Sequence, residues 1–170
     1  MRKDVAAKAN QHIDWLDEGE ILYREQNYGF DTLRAYARWA DYEDRDGPFV
    51  VPDDRNYSKH SVWRRTEKTP AVYPHIAQHS LYTGYLLPCE FRGTYDAEPY
   101  TVGTLLCWQS VASSFSVSEE LERLSERLEV PEEYIPDQSD PLRDVKWFAA
   151  ELRKITRLSV KYRLPVIFYG

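Results

Sequence analysis

Two histidines set the first chemical question. In "YPHIAQHS" (residues 73–80), His75 and His79 stand four apart, the spacing at which side chains on one helical turn can share a metal ion. A zinc site needs at least one more ligand, and Cys89 and Glu90 are the nearest candidates in sequence. The catalytic version of this pattern puts Glu directly after the first His, and here Ile76 stands in that place. The residues therefore leave two readings. Either His75 and His79, with Cys89 or Glu90, serve a small hydrolase or metal-dependent enzyme, or each imidazole bonds a backbone group or a neighbouring Tyr and fixes the chain around it. The two-ligand match favours the second.

Other chemistry finds less support. A nucleophilic Cys89 or Ser would need a His beside it, and no G-x-S-x-G turn is present. Seven glycines leave no Gly-rich phosphate loop. The serines of "VASSFSVSEE" are partly explained by helix capping. No catalytic residue, metal ligand or cofactor is assigned.

The acidic excess reads first as solubility and is compatible with a cationic partner. The net charge is −6 and the pI about 5.3, the opposite of the cationic face that phosphate neutralisation demands, so no nucleic-acid partner is expected. "DYEDRD" gathers Asp41, Glu43, Asp44 and Asp46, which could hold Mg²⁺ but read better as a charged helix end. Arg55, Lys59, His60, Arg64, Arg65 and Lys68, interleaved with Tyr57 and Trp63, form one basic cluster that suits neutralisation of acidic helices or the grip of an acidic partner. Tyr and Trp are abundant, at 13 and 5, and combine an apolar body with a polar tip, which suits half-buried positions at a Tyr-rich core edge first and contact surfaces second.

The elements follow from periodicity. At 170 residues the chain reads as a single domain, 1–170. Residues 4–18, 31–44 and 102–114 read as helices, the last buried around Leu105, Leu106 and Trp108. Leu33, Tyr36, Ala37 and Ala40 stripe the second helix, which places Trp39 and Tyr42 on its more exposed side. A Ser116-x-x-Glu119 capping box opens a helix with Leu121, Leu124 and Leu128 on one face, ended by Pro131. Asp140-Pro141 opens the longest helix, which runs to about Tyr162 with Val145, Phe148, Ala149, Leu152, Ile155 and Ser159 inward. Because of their prolines, "PFVV" reads as an edge strand or extended segment and "GYLLPCEF" as an edge strand or a bulge, and "RGTYDAEPY" reads as a turn-rich loop. "LPVIFYG" reads as a strand seeking one of those two as partner. The expected fold class is α+β, mostly helical with a small sheet. No stretch approaches the roughly 18 apolar residues of a membrane span, and the N-terminal residues lack the apolar core of a signal peptide. The expected setting is a reducing cytoplasm, with Cys89 and Cys107 as free buried thiols.

"TPAVYPHIAQHSLYTGYLLPCEF" and the tail "SVKYRLPVIFYG" resemble a loose group of small bacterial proteins. These share a Y-P-H…H-S…G-Y-x-L-P core, a Ser-rich helical half and an L-P-V-I-F-x-G ending. Members either have no assigned role or are immunity-type proteins of toxin systems. The likeness covers residues 70–170, departs at Cys89, where a β-branched residue is expected, and brings no catalytic residues. It implies a non-enzymatic protein-binding module, an immunity-type inhibitor of a basic bacterial toxin. The expected contact surface is Trp39, Asp41, Tyr42, Glu43, Asp44 and Asp46, with Trp63 in the basic segment as the other candidate. The sequence leaves the oligomeric state open.

Overall fold

The computed structural model describes residues 30–41, 47–51, 62, 71–81, 83–102 and 105–168, and for 97–102 and 105–108 the backbone only. The helix expected over 4–18 lies outside these residues. Within them the chain forms helices α1 (Phe30–Trp39), α2 (Pro74–Gln78), α3 (Ser114–Arg127) and α4 (Arg143–Tyr162). The strands are β1 (Gly84–Leu87), β2 (Tyr95–Val102), β3 (Leu105–Ser113) and β4 (Val166–Phe168). The fold is α+β. The strands form one mixed sheet in the order β2-β3-β1-β4, with β1 parallel to β3 and the other two pairs antiparallel. Among the described residues no helix is long and apolar enough to cross a membrane.

The helix α4 is the spine of the core. Its stripe of Val145, Phe148, Ala149, Leu152, Ile155 and Ser159 is buried throughout, as the 3.6-residue period requires. Phe30 of α1 meets Phe148 at 5.2 Å and Phe168 of β4 at 5.9 Å, so one aromatic joins two helices to the sheet. Leu86 of β1 and Ala112 of β3 face this same core. The opposite face of the sheet carries a smaller cluster of Leu87 and Val111, covered by Tyr85, Cys89 and Phe91.

Several elements differ from the sequence reading. Residues 105–113 are a strand, not a helix, because pairing to β1 on one side and β2 on the other decides a short apolar run whose periodicity fits both. "RGTYDAEPY" contains most of β2, an edge strand, with a register shift between Ala97 and Tyr100 around Pro99. A proline is tolerated at such an irregularity because no ladder donor is demanded there. The strand β1 is interior, not an edge: Pro88 falls one residue beyond its end and removes no hydrogen bond. The terminal strand does pair with it, Leu86 opposite Val166 and Gly84 opposite Phe168. Phe49–Val51 form no strand.

The helix ends also move. The N-cap of α3 is Ser113, whose hydroxyl accepts from the Ser116 amide at 3.4 Å, so the expected Ser116–Glu119 box does not form. At its other end Glu129 adopts a left-handed backbone (φ 54°), and the amide of the buried Val130 reaches back to the Ser125 carbonyl at 2.8 Å. This closing turn satisfies the last carbonyls of the helix and throws the chain outward. Asp140 accepts from the Leu142 amide at 2.8 Å and from Lys146 Nζ at 2.6 Å, and α4 begins three residues later at Arg143.

Candidate functional site

The histidine pair is committed to the fold. His79 is wholly buried; its Nδ1 accepts from the Leu81 amide at 2.9 Å and its Nε2 donates to the Tyr85 carbonyl at 3.1 Å. Both ring nitrogens are therefore used by the backbone. Burial is the main reason its pKa falls to about 3; the Tyr85 bond opposes the shift and the nearby Arg34 charge adds to it. His75 points elsewhere. Its Nδ1 lies 2.6 Å from Glu120 Oε1, and its Nε2 accepts from the Gly93 amide at 3.2 Å, which leaves Nδ1 as the protonated nitrogen.

Glu120, 2% exposed on α3, also accepts from the His75 and Ile76 amides at 3.1 and 3.0 Å. A carboxylate thus satisfies the two first free amides of α2, which no cap residue of its own serves. His75, Glu120 and Gly93 together pin α2 to α3 and to the 92–94 turn. Glu90 is exposed, and the half-buried Cys89 has its thiol pKa raised by burial, away from a reactive thiolate. Among the described residues no group of His, Cys, Asp and Glu is arranged to hold a metal. His75→Ala is expected to lower stability by roughly 1–3 kcal/mol, since it strips one bond from a buried carboxylate and one from a backbone amide. Urea unfolding with and without EDTA checks this; a chelator-dependent midpoint in the wild type would return the pair to metal binding.

Of the acid and aromatic surface expected around residue 39, the structure describes Trp39 and Asp41. Trp39 is 6% exposed. Its ring packs on Tyr36 and Phe49, its Nε1 donates to the Gly47 carbonyl at 3.1 Å, and the Arg127 guanidinium lies 5.6 Å from the ring centroid. The helical stripe misplaced it because α1 is covered on both sides, by the core and by the 47–51 segment. Asp41 accepts from the exposed Ala71 and Val72 amides at 3.0 Å, which ties the end of α1 to that segment. Tyr42, Glu43, Asp44, Asp46 and Trp63 lie outside the described residues.

A different acidic face is in view. Residues 118–144 contain ten carboxylates and three arginines, a net −7 against −6 for the whole chain, so the rest of the sequence is nearly neutral. A windowed charge count would have found it; the reading of this stretch as an apolar-striped helix hid it. Glu119, Glu122 and Glu126 lie at i, i+3 and i+7 on the outer face of α3, spanning about 10 Å of helix axis. Glu129 follows at the helix end, and the exposed loop to α4 adds Glu132, Glu133 and Asp137. The three on the helix average one carboxylate per roughly 5 Å of its axis, wider than the 3.4 Å per phosphate of a single nucleic-acid strand, and Glu119 and Glu126 alone stand about 10 Å apart along it.

Some of these carboxylates are neutralised. Arg157 holds Glu122 and Glu132, and Lys146 holds Asp140. Among the described residues, Glu119, Glu126, Glu129, Glu133 and Asp137 make no ion pair. Asp137 is kept ionised by the amide and hydroxyl of Ser139, which hold its carboxyl below the ordinary range. Ile135, 85% exposed, stands alone among these acids between Glu133 and Asp137.

The family model described as "Putative DNA-mimic protein" matches residues 9–168. The chain belongs to that family. No curated protein and no solved structure matches it. Membership agrees with a protein that acts by binding other proteins. It corrects the expected partner: for a DNA mimic this is a protein that binds DNA, and the basic toxin expected from the sequence is set aside.

Proposed function

We propose that the chain occupies the DNA site of a DNA-binding protein, with the face from Glu119 to Asp144 standing in for a phosphate strand. The observation that carries this reading is the stripe of carboxylates without ion pairs on α3 and the loop after it, in a chain of this family. A groove built for phosphates presents Lys and Arg whose counterions are released on binding, and a ridge of fixed carboxylates collects an electrostatic gain of the same kind. Ile135 supplies an apolar contact within the charged ring, where water exclusion strengthens the pairs around it.

The test uses duplex DNA immobilised on a resin and loaded with proteins of the source cell. The chain is expected to release a defined subset of the bound proteins, with an effect that weakens at high salt. The triple variant E126Q/E129Q/E133Q should need about tenfold more protein for the same release, three exposed charge pairs at the usual fraction of a kcal/mol each. Release of nothing, or equal release by the triple variant, would overturn the proposal.

A further inference from the structure

We infer that Arg153 and Arg157 are positioning residues for the acidic face: from α4 they fix the path of residues 129–134, so that the neighbouring carboxylates meet a partner in one register. The inference rests on the proposed reading and concerns what that face needs beyond charge.

Arg153 is only 6% exposed, and its guanidinium donates to the carbonyls of Val130 and Pro131, the two residues that follow the closing turn of α3. One turn further along α4, Arg157 grips Glu122 with two parallel bonds, from Nε at 2.7 Å and Nη2 at 2.9 Å, while its Nη1 holds Glu132. These contacts raise its pKa further above the ordinary arginine range. A forked guanidinium is suited to this because its donors are rigidly spaced.

The arrangement is otherwise paradoxical. If the face worked through bulk negative charge, Arg157 would oppose it, since it cancels charge on two of the carboxylates. Its placement makes sense as a brace. Glu122 and Glu132 are given up to tie helix to loop, and Glu129 between them and Glu133 after them are left without ion pairs on a fixed backbone. A preorganised surface loses less conformational freedom on binding.

The two explanations predict opposite signs, which makes a direct test. Arg157→Gln makes the protein more acidic by one charge and frees two carboxylates. Lys161→Gln makes the same change of net charge on the same helix, at an exposed side chain that lies over the Tyr162 ring. In the displacement experiment, Arg157→Gln is expected to raise the concentration for half release about tenfold, by faster dissociation, while Lys161→Gln leaves it unchanged or lowers it. Arg157→Lys, which keeps the charge and loses the fork, should fall between wild type and Arg157→Gln. Hydrogen exchange at the amides of Val130, Glu133 and Tyr134 should quicken in Arg157→Gln. Wild-type release with Arg157→Gln equal or better, or with Lys161→Gln equally impaired, overturns the inference and leaves the functional reading standing. A wild type that releases nothing overturns both.

Discussion

Gly84→Ala is expected to be the most damaging single methyl in the sheet, costing at least about 4 kcal/mol, the sum of a forbidden backbone conformation and a backbone collision. Gly84 opens β1 with φ 142°, a region essentially closed to residues with a Cβ. A Cβ built there would stand 2.0 Å from the Ser110 carbonyl oxygen. That atom belongs to the partner strand β3, in register with Gly84 itself, so no flexible side chain can move aside. The strand β1 lies between β3 and β4, and loosening it separates both pairs. Domains of this size hold only about 5–15 kcal/mol in total, so a large share of the stability would go. Urea unfolding of the variant should show a much lower midpoint with loss of the cooperative β-sheet signal. A midpoint within about 1 kcal/mol of wild type would mean that the β1–β3 approach is not as close as described.

What the sequence disclosed follows from where local pattern and tertiary context agree. The inward stripe of α4, from Val145 to Ser159, is a long periodic signal, and all six residues are buried. The pairing of "LPVIFYG" with "GYLLPCEF" was legible because a terminal apolar run requires a neighbour and few were on offer. The stretch 105–113 was not: LLCWQSVAS mixes helix formers such as Leu, Ala and Gln with strand formers such as Trp and Val, and two flanking strands decide between them. Proline misled twice in the sheet, since its effect depends on whether the lost donor would have faced a ladder, which only register reveals.

The candidate site divides in the same way. That the histidines bind backbone was readable from the poverty of the metal pattern. Their partners were not: Glu120 is 45 residues from His75, and Gly93 is brought in by the turn before β2. Trp39 shows the limit of helical stripes. The face of α1 opposite the main core is covered by Phe49 and Gly47, a contact that no period within the helix encodes. The acidic face was present as plain composition in residues 118–144 and needed only a local count, but which carboxylates are cancelled depended on where α4 places Arg157 and Lys146.

Acidification should unload the fold through His79, well before the carboxylates titrate. Its folded pKa of about 3 lies below the ordinary 6.5 because a charged imidazole would have no water around it and would sit near Arg34 and His75. The sign follows from proton counting. Below pH 6.5 the unfolded chain takes up a proton at this residue and the folded chain does not, so stability is intact above 6.5 and is lost as pH falls towards 3. The slope approaches about 1.4 kcal/mol per unit, for a total of roughly 4–5 kcal/mol at the acid end. The lowered carboxyl pKa values of Asp137, Asp140 and Glu132 act in the same direction, but only below the ordinary carboxylate range, so the interval from 6.5 to about 4.5 isolates the histidines. His79→Gln separates His79 from the rest. Its amide can still donate to the Tyr85 carbonyl, while the Leu81 amide loses its acceptor, at a cost of about 1–3 kcal/mol near pH 8. That deficit should shrink by roughly 2–3 kcal/mol between pH 6.5 and 4.5, so that the variant draws level with wild type or overtakes it. Parallel stability curves for the two proteins across that interval, or a His79 ring resonance that titrates near 6.5 in the folded state, would show that the imidazole is not held neutral by burial.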